Sequence, residues 1–175
     1  RQGRAGIIMD NMIAEGKIDP FIIVMTYGMT NEIKFGHMGE FTAKEFETVL
    51  VDELIPYIDS HFRTIPDRKH RAMAGLSMGG METHLITLRR PETFGYFCIL
   101  SGGMYTPEEI AKLSHKPELI FLSCGEMEMP ERINEAVAAL KDAGYNAVAH
   151  VSDRTAHEFL TWRRALYTVA PLLFK

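Results

Sequence analysis

The sequence predicts an α/β fold, with a mostly parallel sheet covered by helices on both faces. Two observations lead to this prediction. Short apolar runs typical of buried strands alternate five times with helical patterns, and the connections between them are short. The runs also contain few polar residues, as expected for parallel strands buried on both faces. A length of 175 residues and a hydrophobic content of 46% fit one domain, spanning residues 1–175.

The first third of the chain contains two predicted helices and one predicted strand. Residues 5–15 place apolar side chains at helical spacing and end at Gly16. The run PFIIVMTYG, Pro20 to Gly28, predicts a strand buried on both faces, and residues 29–40 predict a loop. A long helix is expected from Thr42 to Phe62. Thr42 and the glutamate three residues later match a capping box, and Pro56 is expected to kink the helix.

The rest of the chain repeats a strand and a helix four times. The predicted strands are RAMAGL (71–76), YFCILSG (96–102), ELIFLSCG (118–125) and AVAHVS (147–152). The predicted helices that follow them are 78–89, 106–113, 130–143 and 158–174.

Charge and composition exclude several classes of function. The net charge is −4 and no basic stripe is present, which argues against nucleic-acid binding. The absence of an apolar run near 18 residues predicts no membrane span. Cys98 and Cys124 lie in separate predicted strands and are expected to be small buried hydrophobes, although a disulfide remains open. Their spacing predicts no metal site, and no cofactor is expected.

The stretch GLSMG, residues 75–79, matches the pattern G-x-S-x-G between a predicted strand and a predicted helix. In this pattern a sharp turn holds the serine in a strained conformation, and the glycines remove side chains that would collide there. The helix that follows presents free N–H groups that stabilise a developing oxyanion. Ser77 is therefore a candidate nucleophile.

A serine nucleophile needs a general base, and functional groups in a parallel sheet gather at the carboxyl ends of the strands. His157 follows the last predicted strand and is the favoured base, with a helix-capping role as its alternative. His37, in the loop after the first strand, remains a second candidate. The other histidines lie at the opposite edge or inside elements: His61, His70, His84, His115 and His150.

An acid that orients the histidine is expected after the strand ELIFLSCG. Glu126 and Glu128 both stand there, and the pattern alone leaves the choice between them open. With either glutamate, the chain order is Ser…Glu…His, the order found in α/β-hydrolases.

The segments AGLSMGG, FLSCGEMEM and AHEFLTWRRALYTVAPLLF resemble carbohydrate esterase family 1, the group of feruloyl and acetyl xylan esterases within the esterase D-like α/β-hydrolases. The resemblance extends over nearly the whole chain, including GRAGIIMDNMIAEGKIDPFIIVM and IPYIDSHF. It implies an α/β-hydrolase fold with Ser77 as nucleophile and His157 as base. The acid of the family stands three residues after a strand-end glycine and is usually aspartate, which implies Glu128 here. It also implies the N–H of Met78 as an oxyanion donor.

The resemblance further implies a function and a location. The expected activity is the hydrolysis of feruloyl esters of plant cell-wall xylan, without a cofactor, by a secreted or periplasmic protein that belongs to a larger multidomain xylan-degrading enzyme. Acetyl xylan or other small esters are alternative substrates. A non-catalytic binding module or an inactive fragment is the alternative of another class. Met127, Met129 and Phe159 are candidates to line an apolar slot for the acyl group, with simple packing as the other interpretation.

One departure from the family concerns the amino-terminal side. The second oxyanion donor of the family, in a His-Gly-containing segment, and a central strand of its sheet find no match in this sequence. We therefore expect an N-terminally incomplete α/β-hydrolase domain. Three arrangements remain open for the sheet: direct pairing of PFIIVMTYG with RAMAGL, a strand exchanged with another copy in a homo-oligomer, or a strand from a fuller polypeptide.

Overall fold

The computed structural model describes residues 2–30 and 42–175. The described part contains a four-stranded parallel sheet in the order β1-β2-β3-β4. The strands are β1 (Ala72–Leu76), β2 (Tyr96–Leu100), β3 (Leu119–Gly125) and β4 (Ala147–Ser152). The strand register aligns their carboxyl ends, with Leu76 beside Leu100 and Gly125 beside Ser152. The predicted α/β class and parallel sheet are confirmed.

The helices lie close to their predicted positions. They are α1 (Ala5–Ala14), α2 (Lys44–Glu47), α3 (Ile55–His61), α4 (Met78–Arg89), α5 (Pro107–Ala111), α6 (Pro130–Asp142) and α7 (Phe159–Val169). A π-helical segment, Thr48–Leu54, joins α2 to α3, and short 3₁₀ turns occupy Arg68–His70 and Ala170–Leu172. None of the helices in the described ranges is long and apolar enough to cross a membrane.

Both faces of the sheet are covered, as the sequence predicts. Alternate residues of β2 belong to opposite layers. Phe97 and Ile99 pack with side chains of α4 and α6, whereas Cys98 packs with Ala165 and Val169 of α7. Helix α1 lies against α7 through a separate small cluster around Met12. Because successive residues of a strand pack into apolar layers on opposite faces of the sheet, the strands show continuous apolar runs.

The predicted strand at Pro20–Gly28 is wrong for the described structure. Residues 20–30 form no strand, and the side chains of Met25 and Tyr27 are 71% and 85% exposed. Apolar, β-branched residues favour a strand, but a strand also needs a neighbour to accept its backbone hydrogen bonds. Direct pairing with β1 does not occur in the described residues, where β1 pairs with β2 alone.

The long helix between residues 42 and 62 also differs from its prediction. Ala43, rather than Thr42, is the N-cap of α2, and no side chain caps it. The middle of the helix widens into the π segment directly before Pro56, whose ring nitrogen has no proton to donate. A regular helical stripe of apolar residues would bury Val49 and Tyr57 together with Phe46, but only Phe46 of these three is buried.

Candidate active site

The candidate site lies where the four strands end. One side chain follows each strand: Ser77 follows β1, Ser101 follows β2, Glu128 follows β3 and His157 follows β4. In a parallel sheet these positions share one edge. Hydrogen bonds join all four side chains into one network.

Ser77 occupies the turn between β1 and α4 with φ 54° and ψ −119°, outside the usual regions for a side-chain-bearing residue. Its backbone N–H donates to the carbonyl of Leu100 at 2.9 Å, which fastens the turn to β2. Met78 is the first residue of α4, so its N–H has no acceptor within the helix. This backbone holds the Ser77 hydroxyl above the sheet edge.

Three glycines make the turn sterically possible. A Cβ on Gly75 would lie 1.8 Å from the carbonyl oxygen of Gly79. A Cβ on Gly80 would lie 2.7 Å from the Cα of Gly102, and one on Gly102 would lie 2.3 Å from the carbonyl oxygen of Ser77. The sequence prediction assigned this role to Gly75 and Gly79. However, a Cβ on Gly79 would meet only the side chain of Glu82, at 3.9 Å.

The structure brings the three predicted catalytic side chains together. His157 Nε2 lies 2.8 Å from Ser77 Oγ, and His157 Nδ1 lies 2.7 Å from Glu128 Oε1. Glu126 instead accepts a hydrogen bond from the backbone N–H of Arg154. The two glutamates that sequence reasoning left open therefore have different partners.

The carboxylate of Glu128 is held by three donors. Burial acts to raise its pKa, but the Gly125 N–H and hydrogen bonds from His157 and Ser101 together lower it below the ordinary value. The backbone bond and the Ser101 bond, of 2.6 and 2.7 Å, both reach Oε2. Glu128 is therefore ionised at neutral pH, and Oε1 is left to His157.

The tautomer of His157 follows from this arrangement. An ionised carboxylate only accepts hydrogen bonds, so Nδ1 must carry the proton that faces Glu128. Nε2 then presents a lone pair to the hydroxyl of Ser77. Both ring nitrogens are thereby occupied, and the N-cap of α7 is Glu158, so the capping alternative for His157 does not apply.

Sequence reasoning missed Ser101 and Trp162. The indole Nε1–H of Trp162 donates to Ser101 Oγ at 3.1 Å, and Ser101 Oγ donates to Glu128 Oε2. Ser101 has a φ of 51°, so its backbone, like that of Ser77, has a positive φ. The strand-end rule that selects His157 also applies to Ser101, which follows β2 directly, and could have identified it.

The remaining histidines of the described residues lie away from this network. His61 stacks on Tyr57, His70 bonds to Asp67, and His84 lies beside Glu109. His115 bonds to Ser114, and His150 lies near Thr168. His37, the second candidate base, lies outside the described residues. Cys98 and Cys124 are both free and buried.

The chain matches known proteins in sequence and in fold. The model of the esterase family, described as "Putative esterase", matches residues 1–119. An endo-1,4-beta-xylanase/feruloyl esterase of Xylanibacter ruminicola is 64% identical over 174 residues, which are 99% of this chain. The chain spans only 24% of the length of that relative.

Solved structures of esterases have a similar fold. A ferulic acid esterase superposes with a TM-score of 0.76 at 25% identity, covering 98% of this chain and 77% of that one. A feruloyl esterase module from Clostridium thermocellum, complexed with sinapinate, has a TM-score of 0.76 at 22% identity and covers 97% of this chain and 69% of that one. The predicted α/β-hydrolase fold is confirmed, and the comparisons support the predicted class of enzyme, a carboxylic ester hydrolase.

Proposed function

This chain belongs to the esterase family, and from that membership we propose that it hydrolyses feruloyl esters of plant cell-wall xylan, with Ser77 as the nucleophile. His157 is the general base in this proposal, Glu128 orients it, and the N–H of Met78 is one oxyanion donor. The single observation that carries the proposal is the continuous pair of hydrogen bonds, 2.8 and 2.7 Å long, from Ser77 through His157 to Glu128.

The chemistry follows from these distances. As Ser77 Oγ attacks the ester carbonyl, His157 Nε2 takes its proton, and Glu128 stabilises the imidazolium that forms. The negative charge on the carbonyl oxygen develops near the N-terminus of α4, where the N–H of Met78 is free to donate. The alcohol leaves with the proton from His157. Water activated by the same ring then releases the acid from Ser77.

The surface next to Glu128 favours a hydroxycinnamoyl acyl group. Met127 and Met129, on either side of Glu128, are 69% and 56% exposed, and Leu76, directly before Ser77, is 40% exposed. Exposed apolar side chains that are sequence neighbours of the nucleophile and the acid match an aromatic acyl group better than an acetyl group. The names of the Xylanibacter relative and of the structural neighbours refer to the same ester.

We also propose that the chain acts within a larger xylan-degrading enzyme that works outside the cytoplasm. The relative from Xylanibacter ruminicola is both a xylanase and a feruloyl esterase by name, and it is about four times as long as the matched region. Xylan is a polymer of the plant cell wall, so the enzyme must meet it in the extracellular or periplasmic space. Fractionation of the producing cells tests this location.

The test compares three substrates: methyl ferulate, acetylated xylan and S-formylglutathione. We expect the highest kcat/KM for methyl ferulate, and a loss of at least about 10³-fold in kcat for Ser77→Ala. Ser60→Ala is the matched control, since among the described residues Ser60 bonds to neighbouring groups of its own helix. Equal activity of Ser77→Ala and wild type would refute the assignment of Ser77 as the nucleophile. A preference for acetylated xylan or S-formylglutathione would refute the proposal that the acyl group is feruloyl.

A further inference from the structure

The hydrogen bonds behind the acid form a directed chain. Trp162 Nε1–H donates to Ser101 Oγ at 3.1 Å, and Ser101 Oγ–H donates to Glu128 Oε2 at 2.7 Å. We propose that Ser101 and Trp162 are positioning residues, which hold Glu128 ionised and oriented toward His157. This inference rests on the proposed function, because it concerns the acid of the proposed triad.

The direction of the chain is fixed by the chemistry of its ends. An indole N–H can only donate, and an ionised carboxylate can only accept. The Ser101 hydroxyl must therefore accept from Trp162 and give its own proton to Glu128. If Glu128 were protonated at Oε2, the Ser101 hydroxyl would have to accept hydrogen bonds from both Trp162 and Glu128. The hydroxyl proton of Ser101 would then have lost Glu128 as its acceptor. The chain thus favours the ionised form of Glu128 by geometry.

The backbone conformation of Ser101 points to a function for its side chain. Its φ of 51° is unfavourable for a residue with a Cβ, and glycine would adopt it without cost. The strained conformation is held by a hydrogen bond from the Ser101 N–H to the carbonyl of Ser123, at 2.8 Å. Strain that persists beside a functional group is a mark of a functional constraint.

The longer acid explains the need for such a chain. Glutamate has one more rotatable bond than aspartate, and thus more freedom to lose on ordering. The Gly125 N–H and the Ser101 hydroxyl both bind Oε2, so Oε1 has one direction left, toward His157. The Trp162 ring also meets the His157 ring edge-on, with centroids 5.1 Å apart. One indole therefore contacts the base and orients the acid.

The test uses two variants in the full-length polypeptide. Ser101→Ala removes the hydroxyl, and Trp162→Phe removes the N–H while keeping an aromatic ring beside His157. Ser101→Ala is expected to lower kcat for methyl ferulate by about 10- to 100-fold with little change in KM, since a hydrogen bond to the charged Glu128 is lost. Trp162→Phe loses a hydrogen bond to the neutral Ser101 hydroxyl and is expected to lower kcat by less, about 3- to 10-fold. The double variant is expected to match Ser101→Ala alone, because Trp162 acts through the hydroxyl.

A matched control separates positioning from stability. Ser60→Ala makes the same substitution in α3, where the Ser60 hydroxyl bonds to Tyr57 and His61, outside the network around Glu128. Its kcat is expected to equal wild type. A further readout is the downfield NMR resonance of the His157 Nδ1 proton, which is expected to shift or broaden in Ser101→Ala and to stay unchanged in Ser60→Ala.

The outcomes distinguish the two proposals. Wild-type kcat and an unchanged Nδ1 resonance in Ser101→Ala and Trp162→Phe would overturn the positioning role, even where the melting temperature falls. Retained activity in Ser77→Ala would instead overturn the proposed function. The NMR resonance would still decide whether Ser101 orients Glu128, because it does not depend on turnover.

Discussion

At the scale of single residues, the site depends on which carboxylate meets the histidine. Glu126 and Glu128 are two residues apart, and only Glu128 bonds to His157. Glu128→Gln is expected to lower kcat by about 10³-fold or more, because a neutral amide neither fixes the tautomer nor stabilises the imidazolium. Glu126→Gln is the matched control and is expected to keep wild-type activity. Hydrolysis of methyl ferulate measures both, and similar losses in the two variants would contradict the assignment.

A second residue-scale prediction concerns Glu82, a buried carboxyl in α4. Burial raises its pKa from 4.5 to about 7, and Oε1 has no hydrogen-bond partner within the described residues. The unfolded chain releases this proton near pH 4.5, whereas the folded chain keeps it to about pH 7. The stability contributed by the protonated form is therefore complete below pH 4.5 and is lost as the pH rises to about 7.

We expect Glu82→Gln to remove this pH dependence. Between pH 4.5 and about pH 7, the wild type loses unfolding free energy as Glu82 ionises, whereas glutamine has no proton to lose. The unfolding free energy of the variant, relative to that of wild type, should therefore rise by on the order of 2 kcal/mol across this range. Denaturant unfolding at several pH values measures the difference. Glu135→Gln, at an exposed position of α6, is the control. Parallel pH curves for wild type and Glu82→Gln would contradict the prediction.

The residues of the site were predictable to different degrees. Ser77 and His157 could be inferred from a motif and from the strand-end rule, since both depend on local sequence. The choice of Glu128 over Glu126 needed the family resemblance, because the direction of a loop side chain depends on its partners. Ser101 and Trp162 could not be paired from sequence, since 61 residues separate them and the contact forms only when α7 packs on the sheet.

At the scale of elements, the turn between β1 and α4 is set by backbone contact. Gly75→Ala is expected to destabilise the protein by about 2–4 kcal/mol, because the new methyl group would overlap the carbonyl of Gly79. Gly79→Ala is expected to be neutral or slightly stabilising, because its Cβ has space and alanine favours a helix. Denaturant unfolding of both variants measures the difference. Comparable losses in the two would contradict the role assigned to Gly75.

The elements that the sequence predicted well are those whose signals are local. Strand β4 and helix α4 agree with their predicted bounds, 147–152 and 78–89, since apolar runs and caps mark their ends. The predicted strand at Pro20–Gly28 failed because pairing depends on a neighbour that the run itself does not specify. The π segment before Pro56 was missed for a related reason, since a pattern with a period of 3.6 residues does not reveal a widened turn.

At the scale of the whole molecule, the exposed apolar segment and the edge of β1 offer surfaces for association. Ile22, Val24 and Met25 are 50%, 43% and 71% exposed, and β1 has a neighbour on one side only among the described residues. We expect this chain to self-associate as its concentration rises, because unpaired edges and apolar patches favour contact between copies. Light scattering measures the mass.

A charged substitution tests which surface is responsible. Val24→Lys is expected to reduce the association, whereas Ile65→Lys, at an exposed position outside this segment, is expected to leave it unchanged. A strictly monomeric wild type at all concentrations would contradict the prediction.

The single-domain assignment for residues 1–175 and the extracellular location remain predictions at this same scale.

The central claim is that Ser77 is an activated nucleophile, and covalent labelling tests it most directly. A fluorophosphonate probe reacts with a serine whose hydroxyl is deprotonated by a neighbouring base. We expect peptide mapping to find the label on Ser77, a strongly slowed reaction in His157→Ala, and none in Ser77→Ala. Labelling at another residue, or an unlabelled wild type under conditions that label a known serine esterase, would contradict the account.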